Sequence, residues 1–166
     1  MEKSLQYRFL ESHGNPLQIG NMKVIQCDRL AISKGIVKLR FLSEATGKQG
    51  VALKAKKGGI RMSDGKRVQR LNIWHETNLP PNVEYEVECP TGELTLWNIY
   101  RMQHPDGSMT EDEWTGNAGM IIVEQKNGYR RYGCSDSFDT FSPANLEFEV
   151  EWDNFSVNGK SSGGAK

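Results

Sequence analysis

Apolar and polar residues alternate with a period of two in several parts of this chain, which is the pattern of strands that bury one face. The clearest segment runs from Leu146 to Trp152, where Leu, Phe, Val and Trp alternate with three glutamates. A second segment, from Val83 to Cys89, also places three glutamates at the intervening positions. Both segments predict β-strands whose apolar side faces a core.

A β-hairpin is predicted in the sequence between these two segments. An apolar run from Gly119 to Gln125 and a run from Tyr129 to Cys134 are separated by Asn127-Gly128. Asn and Gly both tolerate positive φ, so this dipeptide favours a tight turn. β-branched and large apolar residues predict further strands at 22–32, 35–42, 51–56, 68–74 and 93–102.

Helical periodicity is confined to Ser4–Leu10, and Thr110–Glu113 predicts at most one helical turn. Short strands separated by turn residues indicate an all-β fold. We therefore predict an antiparallel β-sandwich, jelly-roll-like, with at most one short helix. The alternation assigns the following residues to the inward faces: Val83, Tyr85, Val87, Leu94, Leu96, Ile121, Val123, Leu146, Phe148 and Val150.

The length of 166 residues suits a single domain with a sizeable core. Strand patterns continue to Val157, so we assign residues 1–157 to one β-sandwich domain. Residues 158–166 are rich in Gly and Ser and contain no core residue. This composition predicts a flexible tail.

The formal net charge is zero, which makes neither a strongly basic nor a strongly acidic partner the default. It also removes the repulsion that discourages self-association. Like charges directly opposite each other destabilise a strand pair. The two glutamate-bearing strands are therefore not expected to pair, and a basic strand is expected beside at least one of them.

The N-terminal segment has no continuous apolar stretch of the kind found in signal peptides. No segment has the roughly 18 apolar residues of a membrane-spanning helix. Cys27, Cys89 and Cys134 are odd in number and lie in strand patterns. We predict that they are reduced, buried thiols in a cytoplasmic protein that does not bind a membrane.

Motifs for common chemistries are missing from the sequence. His13, His75 and His104 have no metal-ligand spacing, and there is neither a phosphate-binding loop nor a nucleophile elbow. We therefore predict no catalytic residue, no metal ligand and no cofactor.

The loop from Ser135 to Ser142 contains Asp136 and Asp139. Small oxygen-bearing side chains suit a hard cation such as calcium, although the EF-hand spacing is absent. Alternatively, the two aspartates cap turns while Phe138 and Phe141 anchor the loop in the core.

Aromatic residues give the second candidate for a binding site. Trp97 and Tyr100 lie in the strand that precedes the long polar loop from His104 to Trp114. Both faces of that strand are apolar near Trp97, so it is either fully buried or covered by a partner. Aromatic side chains on a surface can stack on sugars, bases or peptides. We predict that Trp97, Tyr100 and Trp114, together with Asp136 and Asp139, bind the ligand.

The second half of the chain resembles a group of uncharacterised bacterial β-rich proteins. The resemblance rests on Trp97-Asn98, on Trp114 with 116–120, on 129–132, on 134–136 and on the strand ending at Trp152. Those proteins carry an Asp-rich loop before the last strand, where this chain has Ser137 and Thr140 in place of further acids. The resemblance implies the β-rich fold and a bacterial or phage origin.

These observations favour a non-enzymatic binding or assembly module. Its ligand would be a protein, including a second copy of the chain, or a glycan. One alternative is a hydrolase that uses paired loop carboxylates from among Asp106, Glu111, Asp136 and Asp139. The other is a nucleic-acid-binding protein that uses the basic region 48–70, although no helix-turn-helix or RNA-recognition pattern accompanies it. A basic stripe beside aromatic residues would favour the latter.

Overall fold

The computed structural model describes residues 3–44, 49–75, 82–136 and 140–155. This part of the chain contains one helix and fourteen strands. They are α1 (Leu5–Glu11), β1 (Leu17–Ile19), β2 (Met22–Val24), β3 (Asp28–Ala31), β4 (Lys34–Glu44), β5 (Gln49–Lys54), β6 (Gly59–Arg61), β7 (Arg67–Val68), β8 (Arg70–Trp74), β9 (Asn82–Glu88), β10 (Glu93–Gln103), β11 (Met109–Asp112), β12 (Gly119–Lys126), β13 (Tyr129–Ser135) and β14 (Leu146–Asn154). Within the described residues, no helix has the length and apolar character needed to cross a membrane.

The strands form a sandwich of two sheets. The seven-stranded sheet has the order β12-β13-β14-β4-β9-β6-β7. The five-stranded sheet has the order β11-β10-β5-β8, and β3 also pairs with β10. The named strands pair antiparallel in both sheets, as they do in the separate β1–β2 hairpin. The predicted all-β, antiparallel sandwich with one short helix is confirmed.

The core lies between the two sheets, and most of the predicted inward residues are in it. Six of them are buried: Val87, Leu94, Leu96, Leu146, Phe148 and Val150. Val83 and Tyr85 are half-buried and pack against the same cluster. Alternation thus assigned these faces correctly, because each strand has one side toward the opposite sheet.

The prediction for β12 is wrong in part. Val123 is 46% exposed, because the register of β12 shifts between Ile122 and Glu124. Such a bulge inserts one extra residue and ends the simple alternation. Ile121 is half-buried and packs against a second cluster, formed by Leu5, Phe9 and Val24.

Two further expectations need correction. The segment Thr110–Glu113 does not form a helical turn, because residues 109–112 pair with β10 as strand β11. The single strand expected over 22–32 is divided into β2 and β3. Ile25 bridges Met120 at the edge of the seven-stranded sheet, and the chain then crosses to pair with β10 of the other sheet.

The glutamate-bearing strands β9 and β14 flank the basic strand β4, as the sequence predicted. Lys38 lies opposite Glu84 on one side and Glu151 on the other. Salt bridges join Lys34 to Glu88 at 3.7 Å and Arg40 to Glu149 at 3.6 Å. The outer face of the seven-stranded sheet is therefore a solvated surface of cross-strand ion pairs.

The three cysteines are free thiols, as predicted. Cys89 and Cys134 are buried, whereas Cys27 is only half-buried because it lies where the chain crosses between the sheets. The predicted tail, residues 158–166, lies outside the described residues.

Candidate functional site

The outer side of the five-stranded sheet differs from that of the larger sheet. Leu96 pairs with Leu53, which pairs with Leu71, and this row faces the core. Side chains alternate along strands, so the neighbouring row of Trp97, Ala52 and Asn72 faces outward. The next outward row contains Ile99, Gly50 and Trp74. We use the name Trp–Arg face for the surface formed by Arg70, Asn72, Trp74, Trp97, Arg101, Glu111, Glu113 and Trp114.

Two residues of this sheet are buried although they point away from the sandwich core. Trp97 is 3% exposed and Ile99 is 2% exposed. The ring of Trp114 lies 5.0 Å from the ring of Trp97. The Arg70 guanidinium also lies over the ring of Trp97, at 5.0 Å from its centroid. Arg101 covers the adjacent ring of Trp74 at 4.1 Å. Tilted indole rings and guanidinium groups therefore shield the outer side of the sheet around Trp97 and Trp74.

Glutamates fix both arginines on this face. Glu113 accepts a hydrogen bond from Trp97 Nε1 at 3.1 Å and pairs with Arg70 Nη2 at 2.5 Å. Glu111 pairs with Arg101 at 3.6 Å. Each arginine thus contacts an indole and a carboxylate together, which orients its planar group. Because the pairs are partly exposed, they contribute more to geometry than to stability.

The loop after β11 holds Trp114 in place. Trp114 has a φ of 58°, a left-handed conformation that is unusual for a bulky residue. Its indole Nε1 donates to the carbonyl oxygen of Gln26 at 3.1 Å. The backbone N–H of Thr115 donates to the hydroxyl of Tyr100 at 3.0 Å. Backbone strain of about 1–3 kcal/mol is typical where surrounding contacts fix a residue in such a region.

Helix α1 supports the same loop. The N–H of Gln6 donates to the carbonyl of Gly116 at 2.8 Å, and the Gln6 side chain accepts from the N–H of Gly116 at 3.0 Å. The N–H of Leu5 donates to Asn117 Oδ1 at 3.0 Å. The first turn of α1 therefore uses its free backbone donors to fasten the loop that carries Trp114.

The structure brings together three of the five residues predicted to bind a ligand. Trp97 and Trp114 pack against each other on the Trp–Arg face with tilted rings. Tyr100 is 1% exposed and points to the inner side of the sheet. Its hydroxyl lies 2.5 Å from Thr115 Oγ1, so Tyr100 acts on the face by positioning the loop.

Asp136 lies in the interior next to this network. It is 3% exposed and accepts a hydrogen bond from Gln49 Nε2 at 3.0 Å. Gln49 is the β5 residue opposite Tyr100. The backbone N–H of Asp136 donates to Asn145 Oδ1 at 3.1 Å, which links the residue after β13 to the residue before β14. Asp139 lies outside the described residues, among which no cluster of three metal-ligating side chains occurs.

Sequence reasoning missed Arg101 as a member of the site and placed Arg70 only in the basic region 48–70. One signal was present in β8, where Arg70, Asn72 and Trp74 occupy alternate positions and hence one face. Such a row on the solvent side of a strand is unlike the Lys and Glu rows elsewhere in the chain. What the row contacts depends on the register of β8 with β5, which the sequence does not give.

A groove of about 720 Å³ lies elsewhere, between the segment 13–29 and β12. Cys27 lines it, but burial raises the pKa of this thiol, so the reactive thiolate is disfavoured. Asp28 also lines the groove and accepts hydrogen bonds from Arg130 Nη1 at 2.7 Å and from the Tyr132 hydroxyl at 2.5 Å. Asp28 is thereby engaged in a structural link between the two sheets.

Comparison of this chain with protein-family models, curated proteins and solved structures finds no match. Function has to be inferred from the chemistry of the molecular surface.

Proposed function

We propose that the protein is a non-enzymatic binding module that holds a partner protein against the Trp–Arg face. The observation that carries this proposal is the packing of Arg70 on Trp97 and Arg101 on Trp74 on an outward sheet face. Trp and Arg are the residue types most enriched at the energetic centres of protein interfaces. By contrast, the ion pairs Lys34–Glu88 and Arg40–Glu149 on the outer face of the seven-stranded sheet involve no indole.

Preorganisation supports the same function. The arginines are oriented by Glu111 and Glu113, and the loop with Trp114 is fastened by Tyr100 and by α1. Association loses side-chain entropy at every residue that must be ordered, at about 0.5–1.5 kcal/mol per flexible side chain. A surface that is ordered before binding avoids much of this loss.

Protein is a better fit than glycan. Sugar recognition by stacking needs an open aromatic ring face. On this surface Arg101 lies over Trp74, while Trp114 and Arg70 contact Trp97. Arg70 and Glu111 are exposed on this surface and Trp74 and Trp114 are half-buried, a mixture that suits the mixed polar and apolar surface of a protein.

The hydrolase alternative gains no support from the geometry. Glu111 lies opposite Arg101 on the outer face, whereas Asp136 bonds Gln49 on the inner side. Asp106 is exposed, and its pKa is lowered by hydrogen bonds from the side chain and backbone of Ser108. Among the described carboxylates, Asp136 is thus separated by the sheet from Glu111, and the pKa of Asp106 moves away from the range that suits a general acid.

Nucleic-acid binding is a second candidate, favoured by one observation. Arg29 and Lys54 both lie opposite Thr95, and Arg70 lies opposite Lys54, so three cations form a row across the sheet. The row adjoins the indole of Trp97. If it binds phosphates, the affinity for a single-stranded oligonucleotide should fall steeply with salt and should be reduced by Lys54→Ala.

The test of the main proposal compares two faces of the same protein. Partners captured by the tagged parent should be lost with Arg101→Ala and with Trp114→Ala. Removal of an interface hot spot costs about 2 kcal/mol or more, which corresponds to roughly thirtyfold in affinity. Lys38→Ala, on the outer face of the other sheet, is the matched control and should bind like the parent. Unchanged binding by folded Arg101→Ala and Trp114→Ala variants would refute the proposal.

A further inference from the structure

Charge is separated along the Trp–Arg face, and its basic end lies at the start of β10. Arg29 and Lys54 flank Thr95 there, and the turn after β5 adds Lys56 and Lys57. These four side chains are exposed. Within the described part of the chain, none of the four forms a salt bridge, so their charge is available to a partner.

The acidic end is the hairpin that joins β10 to β11. Residues 104–113 contain no Lys or Arg, and Asp106 and Glu111 supply the acidic charge there. Asp112 lies opposite Tyr100 on the inner side of the sheet, and Glu113 is paired with Arg70. Asp106 and Glu111 are exposed. Arg101 offsets part of this charge through its contact with Glu111, at 3.6 Å. The half-buried indoles of Trp74 and Trp114 lie between the basic and the acidic end.

We infer that the partner at the Trp–Arg face is a second copy of this chain, an inference that rests on the proposed function. A two-fold axis between two such faces, perpendicular to β10, reverses the direction of β10 in one copy relative to the other. The basic end of each copy then meets the acidic hairpin of its partner, and the indoles meet near the axis. Such an isologous contact requires a self-complementary surface, which this distribution of charge provides.

The overall charge agrees with this arrangement. The chain has a formal net charge of zero, so long-range repulsion does not oppose association of two copies. A nucleic acid would gain attraction at Arg29 and Lys54 but would meet repulsion from Glu111 and the rest of the hairpin. A second copy places an opposite charge against both the basic end and the acidic end.

A charge-exchange experiment tests the inference. The basic-end variant is Arg29→Glu with Lys54→Glu, and the acidic-end variant is Asp106→Lys with Glu111→Lys. Sedimentation measurements should show a dimer for the parent. Each variant alone should dimerise at least about tenfold more weakly, because both contacts then oppose like charges. A mixture of the two variants should form a heterodimer, because both contacts are again between opposite charges.

The mixture also controls for misfolding, since a heterodimer requires both variants to be folded. A parent that remains monomeric throughout the micromolar range, or a dimer that persists in both charge variants, would overturn the inference. A monomeric parent that captures another protein, and loses it with Arg101→Ala, would overturn the inference but support the proposed function. Retention of a single-stranded oligonucleotide by a monomeric parent, lost in the basic-end variant, would overturn it in favour of nucleic acid.

Discussion

The indole of Trp114 packs on that of Trp97 with their ring centroids 5.0 Å apart and their planes at 35°. This contact is made from a backbone with a φ of 58° at Trp114. An aromatic pair contributes about 0.5–1.5 kcal/mol beyond its burial, which can offset much of the strain of a left-handed residue. The position of Trp114 is therefore set by its contacts and not by its own conformational preference.

Replacement of Trp114 by two small residues separates these effects. Both Trp114→Ala and Trp114→Gly lose the indole contact, but only glycine adopts positive φ without steric cost. We expect Trp114→Gly to be the more stable of the two by about 0.5–1 kcal/mol in denaturant unfolding. If Trp114→Ala is equally stable or more stable, the loop does not hold this residue in the left-handed region.

Asp28 connects the two sheets through a pair of short hydrogen bonds. It lies in β3 and accepts from Arg130 and Tyr132 in β13, at 2.7 and 2.5 Å. Asp28→Ala leaves a largely buried guanidinium and hydroxyl without this acceptor, so we expect a loss of about 2–4 kcal/mol in the free energy of unfolding. Lys34→Ala removes the exposed pair with Glu88 and should cost less than about 1 kcal/mol. Equal losses for the two variants would contradict the structural role of Asp28.

Phe148 and Val123 should respond very differently to truncation. Phe148 is fully buried and stacks on Tyr132 with ring centroids 4.8 Å apart. Phe148→Ala is expected to destabilise the fold by about 3–5 kcal/mol. Val123, displaced outward by the bulge in β12, should tolerate Val123→Ala within about 0.5 kcal/mol. Denaturant melts of both variants check this, and a loss below about 1 kcal/mol for Phe148→Ala would contradict its place in the core.

The hydroxyl of Tyr129 should ionise at a higher pH than that of an ordinary tyrosine. Its hydroxyl donates to Glu149 Oε2 at 2.7 Å, which raises the pKa of Tyr129 to about 12 because ionisation would place a negative charge beside that carboxylate. Since this pKa is raised in the folded state, the resulting stability is present below pH about 10, the ordinary tyrosine value, and is lost as the pH rises toward 12. Glu149→Gln should lower the pKa of Tyr129.

Phenolate absorbance measured against pH tests this prediction, with Tyr129→Phe identifying the signal of Tyr129. An unshifted titration of Tyr129 in Glu149→Gln would show that the hydrogen bond is not the cause.

The cysteines should differ in their reactivity. Burial raises the pKa of Cys89 to about 11 and that of Cys134 well above its ordinary value, and both thiols are buried. Cys27 is half-buried and lines the groove beside β12. We expect alkylation of the native protein to modify Cys27 first and the other two only after unfolding. Mass spectrometry of Cys27→Ser, as the control, should then show almost no native labelling; rapid labelling of Cys134 in the folded protein would contradict the structure.

The fold was largely predictable from the sequence because its main signals are local. Alternation in β9 and β14 identified two strands and their inward faces. Repulsion between glutamate rows correctly required a basic strand next to them, which is β4. The bulge after Ile122 escaped prediction because it depends on how β12 is paired with β13 and not on the residues of β12 alone.

The candidate site was less accessible from the sequence. Trp97 and Trp114 were identified as candidates because aromatic residues near a polar loop are conspicuous. Their contact with Arg70 depends on β8 pairing with β5, and β5 pairing with β10. These pairings connect distant segments, so no local pattern shows that an arginine of one strand covers an indole of another.

The central position of β4 also determines when the larger sheet can be completed. β4 pairs with β14 along its length, and the paired residues lie more than 100 positions apart in the sequence. Closure of so long a loop is entropically slow, whereas the β12–β13 hairpin needs only a tight turn. We therefore expect β14 to pair with β4 late in folding, and until it does, one edge of β4 has unpaired backbone N–H and C=O groups. This interval is when the chain is most exposed to mispairing with other chains.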